Sequence, residues 1–97
     1  MTLSDYATLH AAVGTAFNVD WAGIPRTLVL ESVDEPRTAN GFTSFGANFR
    51  GDTTVPVEQG SRLFSAEGFA ATALFIVPVG SDDRGVLFHA AFSVQEV

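Results

Sequence analysis

The spacing of apolar residues changes period once along the chain. Between Leu3 and Val13, Tyr6, Leu9 and Val13 recur at helical intervals with Ala7, Ala11 and Ala12 among them, which predicts one short amphipathic helix. Thr2 is placed to cap it, Asp5 sits where the helix dipole favours an acid, and Gly14 stops it in a left-handed conformation. Three turns are marginal in isolation, so this helix has to dock on something.

From Thr15 onward the period is two. Short strands are expected over 15–19, 27–33, 42–50 and 62–65. Between them lie a loop over Asp20–Pro25, polar turn material from Asp34 to the Asn40-Gly41 pair, an irregular loop at Pro56–Gly60 and a turn at Glu67-Gly68. The segment 69–79 differs from the rest. Phe69, Ala71, Ala73, Phe75, Val77 and Val79 share one face, and Ala70, Thr72, Leu74, Ile76 and Pro78 share the other. Apolar residues on both faces predict a strand covered on two sides. Pro78 has no N–H to give to a ladder, which predicts an edge or a bulge near the end of that strand. After the polar loop Gly80–Gly85, alternation resumes over 86–95, with Val86, Phe88, Ala90, Phe92 and Val94 on one face. The two segments should pair as an antiparallel hairpin. The chain therefore reads as one mainly β domain, a small antiparallel barrel or sandwich of about six strands whose N-terminal helix plugs one end or covers a sheet face.

Composition narrows the partners. At 97 residues there is room for one domain, and charged residues make up 16% against roughly 25% in an ordinary soluble domain, so disorder is excluded. Eleven acids face five arginines and no lysine, for a net charge of −6. Arg26, Arg37, Arg50, Arg62 and Arg84 lie far apart in sequence, which argues against nucleic acid and against an anionic membrane surface. Without cysteine, the fold needs neither disulfides nor a thiolate metal site. The N-terminal residues lack the basic start and apolar run of a signal peptide. The longest apolar stretch, Phe69–Val79, is about half of what a membrane-spanning helix needs. Cytoplasmic synthesis is the expectation, with incorporation into a particle left open.

The run Phe45-Gly46-Ala47-Asn48-Phe49-Arg50-Gly51, then Gln59-Gly60, then Leu74-Phe75-Ile76-Val77-Pro78-Val79-Gly80, resembles an uncharacterised family of small bacterial domains of unknown function. In that family a phenylalanine-rich strand ending in Phe-Arg-Gly precedes a Phe-x-Val-Pro-Val-Gly strand, here Phe75 to Gly80. The resemblance covers nearly the whole chain and implies no catalytic residues; it hints at phage-tail-like or other particles. Gly46, Ala47 and Asn48 stand where the family has aliphatic residues, which alters packing or leaves room for a neighbour.

Candidate chemistry is sparse. His10 on the helix reads as solvated, and His89 as a half-buried structural residue rather than a metal ligand or base. No metal-ligand spacing is present, so neither a metal nor a cofactor is expected. Asp82-Asp83 reads as a solvated turn, with Ca²⁺ as the alternative. Glu31, Asp34 and Glu35 offer paired carboxylates for acid–base work or, more plainly, a charged edge that resists unwanted pairing. No phosphate loop or nucleophile elbow occurs.

These readings lead to a non-enzymatic structural or assembly domain that packs against itself, another protein or a larger particle. The two-faced strand is the motive, because one helix covers only part of what is left. Trp21, Leu74, Ile76, Pro78 and Leu87 are the interface candidates, although a loop Trp such as Trp21 more often caps the core. The alternative is a small apolar-ligand module, since Ala70, Ala71, Ala73, Ala90 and Ala91 leave volume.

Overall fold

The computed structural model describes residues 6–95; the expected Thr2 cap and Asp5 lie outside them. The elements are α1 (Tyr6–Ala11), β1 (Ala16–Trp21), β2 (Ile24–Val33), β3 (Arg37–Ala39), β4 (Phe42–Gly51), β5 (Gly60–Ala66), β6 (Phe69–Asp82) and β7 (Gly85–Gln95). The helix unwinds as expected into Gly14, whose φ of 94° is left-handed and whose N–H donates to the Leu30 carbonyl at 2.7 Å.

All neighbours are antiparallel. They run β2-β1-β5-β6-β7-β4-β3, and β4 also pairs with β2, so six strands close into a barrel with β3 alongside. Closure leaves the six strands a common interior. Phe17, Val19, Trp21, Leu28, Leu30, Ala47, Phe49, Phe64, Ile76 and Phe88 fill it, all nearly inaccessible to solvent. Ring centroids lie 4.9 Å apart for Phe49–Phe64, 5.9 Å for Phe17–Phe49 and 5.5 Å for Trp21–Phe88. Such tilted pairs add about 0.5–1.5 kcal/mol each beyond their buried area. One end is closed by α1 through Leu9 and by the Tyr6–Phe45 and Phe45–Phe92 rings. The β4–β5 connection crosses the other end with Val55 tucked in; there Arg26 Nη1 donates to the Thr54 carbonyl and Trp21 Nε1 to Glu58 Oε1.

Several boundaries differ from the sequence expectation. The loop at Asp20–Pro25 is a two-residue turn, Ala22-Gly23, both at positive φ, with Asp20 Oδ1 accepting the Gly23 N–H. Pro25 is tolerated in β2 because β2 pairs with β4 only from Val29 on, leaving its N-terminal half a free edge. The polar stretch before Asn40-Gly41 contains a short strand, β3, and that pair is its hairpin turn, with φ of 53° and 80°. The Gly80–Gly85 loop shrinks to Asp83-Arg84, since Asp82 Oδ1 caps the Arg84 N–H at 2.8 Å. Asp82 also pairs with Arg50, which engages the carboxylate considered for Ca²⁺.

Candidate functional site

The strand expected to be covered on two sides is covered by its own chain on one. Leu74 and Ile76 point into the barrel, while Ala71, Ala73, Phe75 and Val79 are exposed, Phe75 at 56% and Val79 at 58%. The register explains a second departure. Phe64 pairs with Thr72 and Ala66 with Phe69, so two steps along β5 match three along β6. This bulge swings Phe69 out of the outward row and in against Phe17, at 5.6 Å. A second shift, between Pro78 and Gly80, falls where the proline predicted it.

Of the interface candidates, Trp21, Leu74 and Ile76 are therefore core residues, at 4%, 6% and 0% exposure, and Pro78 and Leu87 are half-buried. Trp21 packs on Phe88 and under the Arg62 guanidinium, 4.3 Å from its ring centroid. The outward apolar wall is built from other residues. Leu63 of β5, 47% exposed, sits opposite Ala73, and Phe75 follows two positions along β6. Sequence alternation contained the signal for this row but not which of the two rows faces out.

The adjoining wall, β7–β4–β2, is polar and hydrogen-bonded. Glu31 is the extra residue of a bulge in β2 and pairs with Arg50 Nε at 2.7 Å; Arg50 Nη1 reaches Asp82 at 3.3 Å. The Glu31 hydrogen bond, first of all, raises the Arg50 pKa against an opposing desolvation, with the charges of Glu31 and Asp82 assisting. Two residues earlier on β4, Asn48 donates from Nδ2 to Ser32 Oγ and to Asp34 Oδ1. Asp34 Oδ2 lies 3.3 Å from His89 Nε2, and the Asp34 N–H donates to the Gly46 carbonyl at 2.7 Å. Glu31 and Asp34 thus each hold a different partner instead of forming a carboxylate pair.

Gly46 makes this arrangement possible. A Cβ there would stand 2.1 Å from His89 Nε2 and 2.6 Å from Asp34 Oδ2. The room anticipated at Gly46 is filled by the imidazole and carboxylate from within the chain. Beside the pair opens a groove of about 690 Å³, lined by Asp34 to Arg37, Ser44 to Gly46, His89 and Ala91 to Ser93. Among the described residues no group of three or more His, Cys, Asp or Glu is disposed to hold a metal. His10 is exposed on the helix, its ring 5.7 Å from Tyr6.

A family model described as a domain of unknown function (DUF6916) matches residues 4–92. No curated protein and no solved structure matches the chain.

Proposed function

The chain belongs to this family of domains of unknown function, and we propose that it is a non-enzymatic assembly domain that binds a second copy of itself, or docks in a larger particle, through the outward face of β5 and β6. One observation carries the reading: Leu63, Ala73, Phe75 and Val79 stand exposed on neighbouring strands of a barrel whose interior is already filled by aromatic rings. Scattered apolar residues on a surface are ordinary, but Leu63 directly opposite Ala73 with Phe75 next in the same outward row is the kind of patch that marks a contact.

The same features count against other partners. Arg50 is held by Glu31 and Asp82, Arg62 lies on Trp21 and Arg26 bonds Thr54, so these three cations face the protein rather than a phosphate backbone. No described helix is long and apolar enough to cross a membrane. The apolar-ligand alternative is weakened because Ala70, Ala71, Ala73 and Ala91 point outward or lie exposed, while the interior holds rings. An enzymatic reading has Asp34 oriented on His89, yet neither Ser44 nor Ser93 hydrogen-bonds His89 among the described residues. A bacterial source and a place in a phage-tail-like particle, implied by the resemblance at Phe75–Gly80, belong to this same proposal.

Light scattering coupled to size exclusion tests it. The wild-type chain should self-associate, and the Leu63→Glu/Phe75→Glu variant should elute as a monomer with unchanged circular dichroism. A wild-type chain that stays monomeric at about 100 μM, where even weak contacts register, overturns self-association.

A further inference from the structure

The groove on the polar wall converges charges of both signs. Arg37, Ser44 and Ser93 are cross-strand neighbours on β3, β4 and β7, so a guanidinium and two hydroxyls line one end in a single row. Glu35 and the anchored Asp34 lie at the other, where the Asp34 N–H is bonded to Gly46. Pro36, with its fixed φ, stands between Glu35 and Arg37, and neither of those two side chains has a hydrogen-bond or ion-pair partner among the described residues. Between the ends, the His89 and Asp34 side chains lie over Gly46, Ala91 is too small to obstruct the groove, and Phe92 adds an apolar flank.

We propose that this groove binds a compact zwitterion of the α-amino-acid type with an apolar side chain. A simple anion entering it would meet Asp34 and Glu35, and a simple cation would meet Arg37; a ligand carrying both charges meets an opposite charge at each end. The spacing agrees. Ser44 and Gly46 are two residues apart on β4, about 7 Å of extended chain. A ligand whose two charges hang from one carbon, with a hydrogen bond of about 2.9 Å at either end, spans a comparable distance. Its carboxylate lies on Arg37 and the hydroxyls, its ammonium at the acids, and its side chain against Phe92 and Pro36. Asp34 and the bare Gly46 fix the His89 ring, 34% exposed, beside the groove. The site is on the β4–β7 wall rather than on β5–β6 and does not depend on the assembly reading.

Calorimetric titration with L-phenylalanine, phenethylamine and 3-phenylpropionate tests this. L-phenylalanine should bind saturably in the millimolar range, and each half-ligand about tenfold more weakly, the loss of one charge-assisted contact. Arg37→Gln should abolish the advantage of L-phenylalanine over phenethylamine, and Glu35→Gln its advantage over 3-phenylpropionate. Both side chains are exposed, so both variants should keep the wild-type circular dichroism. No saturable heat with any probe up to about 50 mM, a range far above useful affinity, overturns the proposal. So does equal binding of the half-ligands, or L-phenylalanine binding unchanged in the Arg37→Gln/Glu35→Gln variant.

Discussion

The two walls of the barrel, β5–β6 and β4–β7, share one interior and differ on the outside. Inside, Phe64 and Ile76 of the first wall and Phe49 and Phe88 of the second are equally inaccessible. Outside, the first wall presents Leu63, Ala73 and Phe75, which have nothing to donate or accept. The second presents Asn48, Arg50 and His89, each tied to a carboxylate reaching over from β2, the β2–β3 connection or β6. Their border runs where Val77 pairs with His89. The difference teaches that closing the barrel satisfies both strand sets alike, so only the outward rows assign a role to each wall. A wall that has already paired its polar groups with one another is self-contained around its groove; a wall of exposed side chains without polar groups gains most from a cover.

The largest effect should erase the comparison altogether. Phe64→Ala hollows the layer that both walls share and should lower unfolding free energy by about 3–5 kcal/mol in urea titration, destabilising each wall to the same extent. A smaller effect isolates the polar wall. Gly46→Ala must push aside the ends of His89 and Asp34, which can move, so the expected loss is about 0.5–1.5 kcal/mol, that of one hydrogen bond. Adding His89→Ala to it should recover part of that loss, Asp34 still standing in the way; no recovery would show that the imidazole is not what Gly46 makes room for. The mirror experiment on the apolar wall separates stability from the proposed association: Phe75→Glu should change unfolding free energy by no more than about 0.5 kcal/mol while lowering the mass that light scattering reads for the wild-type chain.

The smallest effect belongs to neither wall and serves as their control. In the end-crossing loop, the Thr54 hydroxyl, then the Thr54 N–H, hold the Asp52 carboxyl below its usual pKa, with help from Arg26. A depressed folded-state pKa contributes stability that is complete above the ordinary carboxylate value of about 3.9 and fades as pH falls through the lower folded value. Asp52→Ala should therefore flatten the acid limb of the stability profile below about pH 4 and leave both walls unaffected.

Much of the fold was legible because period-two alternation is a local property. Phe45, Ala47 and Phe49 share an inward row, and the Pro78 irregularity and the left-handed Gly14 stand where the residue types required them. The turns were less legible. Ala22 lies in a left-handed conformation that its residue type does not announce, and β3 exists only because Asn40-Gly41 folds three polar-flanked residues back on β4. Of the polar site, His89 and Asp34 stood out as residue types, but 55 positions separate them in the chain, and no local pattern joins them. Gly46 was the one trace of their meeting, a missing side chain in the middle of a strand.

What residue order alone determined, then, is the set of alternating segments, the stops between them and the shortage of charge, all consequences of backbone geometry acting over a few residues. Which of the two apolar rows of β6 faces inward was decided only when the ring closed. Closure fixes the register of every strand at once, and the bulge near Ala70-Ala71, which turns Phe69 inward while Phe75 stays outside, arises from matching two strands to each other rather than from either one alone.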